Sequence, residues 1–191
     1  PPCQPYSIVG RSRNKGVKNY TPERDLRHYL YREYLKIINR YNPPVFVMEN
    51  VKGIISSKVN DQYIFKQILK DLIDPASSLG KQKVKKSRYK YKIYSLVKNV
   101  CIENKKDIDN IDPYDFVIKS ENYGIPQFRH RVILLGVRED LERVPSILSE
   151  FDRFIPIKNV IFGLPPLRSG LSKENDSTDK WKERIKEITN A

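Results

Sequence analysis

The first long pattern of apolar positions lies between residues 23 and 42. Apolar residues recur there at spacings of three and four, which is the period of one helical face: Leu30, Tyr34, Ile37, Ile38 and Tyr41. The pattern stops at Pro43 and Pro44, because proline cannot continue a helix. The sequence therefore predicts a helix over residues 23–42.

A short and wholly apolar run, VFVM, follows at residues 45–48. Such a run between helix breakers is typical of a strand buried on both faces, as in a parallel sheet. Glu49 and Asn50 come directly after it. Functional groups of open α/β sheets collect just beyond the carboxyl ends of strands, so these two residues are candidates for a site.

The remaining apolar patterns predict two further helices and three further strands. The helices are expected over residues 61–73 and 178–189, and the strands over residues 91–97, 116–119 and 132–137. Helices that alternate with strands in this way indicate an α/β fold. Prolines interrupt the chain after residue 138, and we place a domain boundary near residue 141.

The charge of the chain narrows the class of partner. Its 191 residues include 36 Lys and Arg against 23 Asp and Glu, a formal net charge of +13. Such a surplus indicates a polyanionic partner, nucleic acid first, although a solvated surface would carry the same charge. The densest basic stretch, residues 81–92, either contacts a DNA backbone or faces solvent, and we expect solvent.

Several classes of protein are disfavoured by the composition. Two cysteines, Cys3 and Cys101, are too few for a disulfide scaffold, which favours a reducing cytoplasm. No apolar run approaches the roughly 20 residues of a membrane span. The cysteines and histidines do not have the spacing of a zinc site, so we expect no metal. Cys101 is expected to be a buried structural thiol.

Cys3 is the candidate nucleophile. It lies in PPCQPYS, residues 1–7, where prolines on both sides exclude a helix and hold the thiol in a rigid loop. A thiolate nucleophile needs a partner for the charge that it pushes into its substrate. Glu49 could be that partner, since partial desolvation at a strand end would raise its carboxyl pKa. The alternatives are a thiol without a role and a carboxylate that pairs with a helix N-terminus.

A second polar cluster, QFRHR at residues 127–131, precedes the strand predicted at residues 132–137. Side chains alternate along an extended segment, so Gln127, Arg129 and Arg131 would share one face. Phe128 and His130 would take the other face. Two guanidinium groups and an amide suit a phosphate or a base carbonyl, and a salt-bridged strand edge is the alternative.

Four segments, taken in order, resemble the motifs of the 5-methylcytosine DNA methyltransferases. PPCQPYS at residues 1–7 is similar to the nucleophile loop of that family, and DLRHYLY at residues 25–31 to its Asp-x-Arg-x-x-Leu-Phe/Tyr motif. ENV at residues 49–51 matches the Glu-Asn-Val motif, and YGIPQFRHR at residues 123–131 matches Gly-x-Pro-Gln-x-Arg-x-Arg. The resemblance covers residues 1 to about 140, and residues 157–172 look like the start of a bacterial target-recognition region.

The resemblance implies a fragment of a bacterial DNA cytosine-5 methyltransferase of the restriction–modification type. Its α/β fold would be part of a Rossmann-like, S-adenosylmethionine-dependent methyltransferase sheet. Residues 1–140 would be the catalytic domain without its Gly-rich cofactor loop, and residues 141–191 a linker and the start of target recognition. The implied cofactor is S-adenosyl-L-methionine. The implied partners are double-stranded DNA and a cognate restriction endonuclease system, for a cytoplasmic monomer that does not bind membranes.

The resemblance also assigns roles to single residues. Cys3 would attack C6 of a cytosine flipped out of the duplex, while Glu49 would protonate or hydrogen-bond N3. Asn50 would hold the loop around Cys3, and Arg129 and Arg131 would contact the base carbonyl, the DNA backbone or the surroundings of the nucleophile. The remaining assignments are cofactor contacts for Pro2 and Leu30, substrate contacts for Gln4, Ser7 and Gln127, and closure over DNA for residues 8–22.

Two other classes remain open from the sequence. In the family a Gly-rich cofactor loop precedes the cysteine motif, and a C-terminal segment completes the cofactor pocket, but this chain has neither. It could therefore be a non-catalytic DNA-binding piece or one subunit of a split enzyme, and we expect weak cofactor binding by the chain alone. A tRNA cytosine-5 methyltransferase would share the same loops, although the run at residues 164–172 favours DNA.

Overall fold

The structure is a computed structural model that describes residues 5–7, 10, 12–13, 18, 21, 25–80, 89–165, 169–171 and 175–189. The chain divides into two units, Pro1–Ile155 and Pro156–Ala191. The first unit contains the sheet and the core. Backbone hydrogen bonds attach residues 142–155 to the first unit: Leu148 N donates to Leu96 O, and Phe151 N donates to Asn122 O.

The helix expected over residues 23–42 is confirmed for its main part as α1, Tyr31–Tyr41. A short 3-10 helix, Leu26–Tyr29, precedes it, because the Asp25 carboxylate accepts from Arg27 N and starts a tight turn there. Asn42 ends α1 in the left-handed conformation at φ 49°, as asparagine tolerates. The helix buries Tyr31, Leu35 and Ile38 against the core.

In the part of the chain that the structure describes, seven strands form one sheet and one small hairpin. The strands are β1 Val45–Val51, β2 Lys58–Val59, β3 Gln62–Tyr63, β4 Tyr91–Tyr94, β5 Cys101–Ile102, β6 Val117–Lys119 and β7 His130–Arg138. The sheet has the order β1-β7-β4-β5, with β6 also paired to β7, and β2 pairs with β3 separately. The three strands predicted after β1 are thus confirmed in position, and the α/β class holds.

The expectation of a parallel strand buried on both faces is wrong for β1. It pairs antiparallel with β7 and alternates between exposed and buried positions. Phe46 and Met48 point into the core, whereas Val45 and Val47 remain 48% and 55% exposed. An apolar run cannot by itself show which direction a partner strand takes, nor whether both faces of the sheet are covered.

The core lies between the buried face of the sheet and α2, Ile64–Ile73. Phe46 packs edge-on against the Tyr91 ring at 5.0 Å, and in the β1–β7 register it faces Gly136. The Phe46 ring occupies the space that a Cβ at position 136 would need. A glycine is therefore required at this point of β7.

Three further helices complete the described chain. α3, Pro75–Ser78, follows α2 directly, because Asp74 caps it and proline is favoured in a first helical turn. The second unit contains α4, Ile157–Ile161, and α5, Thr178–Thr189, of which α5 has the predicted bounds. Among the described helices, none is long and apolar enough to cross a membrane.

Candidate active site

Glu49 and Arg131 meet across β1 and β7. Their strands run antiparallel, with Val51 opposite Arg131 and Glu49 opposite Ile133. Arg131 therefore lies diagonally across from Glu49 on the same face, within reach of a long side chain. The Arg131 Nε atom lies 2.8 Å from Glu49 Oε1, and Arg131 Nη1 donates to His130 O at 2.9 Å. The structure thus joins two of the motifs found in the sequence.

The environment of Glu49 differs from the sequence prediction. Its side chain is 53% exposed, so the expected partial desolvation is wrong. The reason is the open face of β1, on which Glu49 follows Val45 and Val47 in the alternation. In this chain the carboxylate is oriented by the Arg131 guanidinium, whose own side chain is 22% exposed.

Asn50 occupies the buried face of β1, 2% exposed. Its Oδ1 accepts from Val51 N at 2.8 Å. Its Nδ2 atom is buried and has no hydrogen-bond partner among the described residues. A buried amide donor of this kind favours an acceptor in a neighbouring segment.

The segment before β7 is tightly turned rather than extended. Gln127 N donates to Ile125 O at 2.7 Å and Arg129 N donates to Gln127 O at 2.9 Å, two successive three-residue turns. The strand itself starts at His130. Gln127 and Arg129 therefore lie before the strand, in turns, and not in the extended segment that the predicted alternation assumed. Arg131 contacts Glu49, whereas Gln127 and Arg129 are exposed on the turns.

Ser120 holds these turns in place, and sequence reasoning missed it. Its Oγ donates to Gln127 O at 2.6 Å and accepts from Arg129 N at 2.9 Å, and Ser120 N donates to Arg129 O. The residue is buried, at 8% exposure. A serine seven residues before the Gln-x-Arg-x-Arg segment was the available signal, since serine commonly bonds nearby backbone groups.

A second contact fixes the other side of the same segment. His130 Nε2 lies 2.7 Å from Glu121 Oε1, and the Glu121 side chain is only 12% exposed. Gly124, at φ +76°, closes the 3-10 helix Ser120–Tyr123 in the left-handed region that glycine adopts readily. The glycine of the Gly-x-Pro-Gln motif is thus required by the backbone.

The residues that follow Cys3 dock onto the Asp-x-Arg motif. Tyr6 is 2% exposed, its hydroxyl donates to His28 O at 3.0 Å, and its ring stacks edge-on with His28 at 5.2 Å. Burial raises the pKa of the Tyr6 hydroxyl. Tyr6 is a second residue that sequence reasoning did not single out, and it connects the nucleophile loop to the 3-10 helix.

The Asp-x-Arg motif is itself held by charge. Asp25 accepts from Arg27 Nε at 2.8 Å and from Arg27 Nη2 at 2.7 Å, and its carboxylate also caps the 3-10 helix that follows. Ser7 accepts from Gly10 N at 3.0 Å, so its hydroxyl shapes the loop.

The remaining predicted site residues are only partly described. Leu30 lies at the start of α1 and is 41% exposed. Pro2, Cys3 and Gln4 lie outside the described residues, as do most of residues 8–22 and all of residues 81–88. The end of the basic stretch is described as part of β4, where Lys92 pairs with Glu103 at 2.8 Å.

Cys101 is partly buried rather than fully buried as expected. It lies in β5, and burial raises the pKa of its thiol. A raised pKa leaves the thiol protonated near neutrality, and only the thiolate is nucleophilic. Cys101 is therefore not an activated nucleophile.

Comparison with known proteins assigns the chain to one protein family. The model of the family described as C-5 cytosine-specific DNA methylase matches residues 1–76 and 98–190. The chain belongs to this family. The match includes all four motifs, and the contact between Glu49 and Arg131 joins two of them within the methylase sheet.

Curated methylases similar to this chain are longer than it. It is 38% identical over 149 residues to the type II methyltransferase M.BbvI of Brevibacillus brevis, a match covering 76% of this chain and 29% of that protein. It is 34% identical over 141 residues to M.Bpa9945I of Bacillus paralicheniformis, covering 74% of this chain and 24% of the relative. The chain thus spans about a quarter to a third of the length of these two relatives.

A solved structure shows the same fold. The chain matches an E. coli prophage protein described as a DNA modification methyltransferase with a TM-score of 0.51 and 21% sequence identity. The match covers 80% of this chain and 34% of that one. At this level of identity the similarity supports the α/β methyltransferase fold.

Methylases of this family use S-adenosylmethionine as the methyl donor. Of the two residues expected to touch it, the described part of the chain contains Leu30, whose exposed side chain offers an apolar contact and no polar group. Leu30 therefore fits one wall of a cofactor site and does not by itself build one.

Proposed function

We propose that the protein containing this chain is a DNA cytosine-5 methyltransferase of a restriction–modification system. The observation that carries the proposal is the 2.8 Å contact between Arg131 Nε and Glu49 Oε1, which gives the carboxyl group of the Glu-Asn-Val motif a fixed cationic partner. Family membership supports the reaction class, and the names of the relatives, type II methyltransferases, support the restriction–modification role.

The proposed reaction begins with a cytosine turned out of the duplex, because its ring cannot be reached inside the stack. The Cys3 thiolate forms a bond to C6, and the electron pair of the C5–C6 double bond is displaced toward N3. Glu49 donates a proton or a hydrogen bond to N3 and so stabilises that charge. Bound S-adenosylmethionine supplies the methyl group that becomes attached to C5. Removal of the C5 proton by a base and departure of the Cys3 thiolate then restore the aromatic ring.

Several described residues would support these steps by position. Arg131 holds the Glu49 carboxylate in one orientation, so that the group points the same way before and during reaction. The buried Asn50 Nδ2 atom is a donor suited to a carbonyl of the Cys3 loop. Arg129 stands exposed on the turns held by Ser120, where it can reach DNA.

The proposal is tested by trapping the covalent intermediate. The full-length protein, given S-adenosylmethionine and duplex DNA containing 5-fluorocytosine, should form an adduct that resists denaturation, because fluorine at C5 cannot leave as a proton does. The Cys3→Ser variant should form none. An adduct that survives this substitution would overturn the assignment of the nucleophile, and an adduct with tRNA instead of DNA would overturn the substrate class.

A further inference from the structure

A cavity of about 420 Å³ that the proposed chemistry does not use opens in the first unit. Three lysines from separate segments line it, and we call them the lysine cleft: Lys52, Lys98 and Lys119. Lys52 follows β1, Lys98 lies between β4 and β5, and Lys119 ends β6. Residues far apart in sequence thus bring three cations to one concave surface.

The lysines of the cleft are exposed and are not neutralised by close ion pairs. Within the described part of the chain, none of their ammonium groups lies within 4.0 Å of a carboxylate, whereas Lys36, Lys66 and Lys92 elsewhere each form such a pair. The Lys52 ammonium instead lies 5.3 Å from the centre of the Tyr114 ring. This cation–π contact attracts the ammonium group but does not neutralise its charge.

The cleft is close to the Glu49–Arg131 contact in the strand register. Arg131 lies opposite Val51 on one side and opposite Ile118 on the other. Lys52 and Lys119 are the next residues along the chain after those two partners. The backbone of Lys52 and Lys119 therefore lies at the end of the sheet that carries the candidate active site, while the Lys119 side chain points to the face opposite Arg131, because side chains alternate along β6.

The other lining residues favour a phosphodiester as the ligand. Tyr114, Tyr123 and Asn122 also line the cavity, and Lys, Tyr and Asn are side chains that commonly contact DNA phosphates. Two carboxylates, Asp115 and Glu150, line it as well, so the surface keeps a smaller net positive charge. The Glu150 carboxylate accepts from Asn122 Nδ2 at 2.9 Å.

We propose that the lysine cleft binds backbone phosphates of duplex DNA near the cytosine that Glu49, oriented by Arg131, would contact. The proposal rests on the proposed function for the location of that cytosine, and it adds a phosphate site outside the four methylase motifs. Duplex DNA carries one charge per about 1.7 Å of axis, so several cations on one surface can engage it together. Phosphate contacts of this kind fix the position of the protein on DNA and do not read sequence.

The test compares two triple variants of the full-length protein. The first is Lys52→Gln, Lys98→Gln and Lys119→Gln. The second, Lys70→Gln, Lys105→Gln and Lys106→Gln, removes the same charge from residues that do not line the cavity. Affinity for a fluorescent duplex is measured by anisotropy between 50 and 200 mM salt, and methylation is measured separately on the same preparations.

We expect the slope of log affinity against log salt to decrease in magnitude by about 0.9 for each lost phosphate contact, so by about 2 to 3 in the cleft variant. The control variant should change it by less than about 1. An equal change in both variants, or none in the cleft variant, would overturn the proposal. If the triple variant does not fold, each of the three single Lys→Gln variants of the cleft should decrease the magnitude of the slope by about 0.9.

The two proposals can fail separately. A reduced slope in the cleft variant of a protein that methylates no DNA would support the phosphate site and contradict the proposed enzyme. Normal methylation by the unmodified protein, together with an unchanged slope in the cleft variant, would support the proposed enzyme and contradict the phosphate site.

Discussion

Arg131 contacts Glu49 diagonally across two antiparallel strands, with 2.8 Å between Nε and Oε1. Seven residue pairs fix the register of β1 and β7, so the backbone sets the positions of both side chains. A carboxylate held in this way does not need burial to keep one orientation. Its neighbour in the strand, Asn50, turns to the opposite and buried face.

Glu49→Gln should lower the rate of methyl transfer and leave the free energy of unfolding nearly unchanged. The amide cannot supply a proton to N3, so we expect methyl transfer to fall by about 10²- to 10⁴-fold. The ion pair is more than half exposed at Glu49, so the free energy of unfolding should change by less than about 1 kcal/mol. Methyl transfer to DNA and urea unfolding measure the two quantities.

Arg131→Lys is the matched variant for this contact. Lysine keeps the charge but not the planar geometry of the guanidinium, so activity should fall less than in Glu49→Gln while stability stays the same. The double variant should lose little more activity than Glu49→Gln alone, because both changes act on one group. Additive losses would mean that Arg131 acts independently of Glu49.

Ser120→Ala should loosen the turns that carry Gln127 and Arg129. It removes the Oγ bonds to Gln127 O and from Arg129 N and leaves only the turn bond between those two groups, so the loss of two hydrogen bonds should cost about 1 to 3 kcal/mol in unfolding free energy. Ser56→Ala is the control, since the Ser56 hydroxyl is exposed and makes a longer 3.4 Å bond. Equal unfolding free energies for the two variants in urea would contradict the role of Ser120.

Gly136→Ala should destabilise the sheet without touching the site. The added methyl group would overlap the Phe46 ring, which packs against Tyr91 and has little room to move. Overpacking of this kind costs about 1 to 3 kcal/mol, which thermal unfolding can measure. Gly163→Ala meets no atom within 4 Å and should leave the unfolding temperature nearly unchanged.

Tyr91 should make the protein sensitive to alkaline pH. Burial raises the pKa of its hydroxyl to about 12, and the hydroxyl donates to Pro43 O at 2.9 Å. The folded protein is stabilised by keeping Tyr91 neutral, and this stabilisation is fully present below the unfolded pKa of about 10. It is lost as the pH rises toward 12, by up to about 1.4 kcal/mol per pH unit.

Tyr91→Phe tests this dependence by urea unfolding at pH 9, 10.5 and 11.5. The variant should be less stable than the parent protein at pH 9 by about 1 kcal/mol, because it lacks the hydrogen bond to Pro43. The difference should shrink as the pH rises, since phenylalanine has no proton to lose. A difference that stays constant over this range would show that Tyr91 does not titrate with unfolding.

The three longest helices, α1, α2 and α5, could be predicted from sequence because their periodicity is a local property, whereas the short α3 and α4 have too few turns to show one. α5 was found with its bounds, and α2 to within three residues of its start. The partners of β1 are not a local property, and the direction of pairing was wrong for this reason. The hairpin of β2 and β3 was missed because strands of two residues leave no alternation to detect.

The candidate site could be predicted as a set of residue types but not as a geometry. Motif order identified Glu49 and Arg131, and the structure brings them into contact. The turns at residues 125–129 depend on hydrogen bonds from Ser120, which no periodicity reveals. The assignments of Pro2, Cys3 and Gln4 remain predictions, since these residues lie outside those that the structure describes.

The open face of β1 has a practical consequence for handling this chain. Within the described residues β1 pairs with one strand, and the exposed side chains of Val45 and Val47 form an apolar patch on its open face against which another copy can pack. Concentrated samples of the isolated chain should therefore self-associate through Val45 and Val47, and a lysine at either position should keep them dispersed. Solubility would then depend on two side chains that take no part in the chemistry.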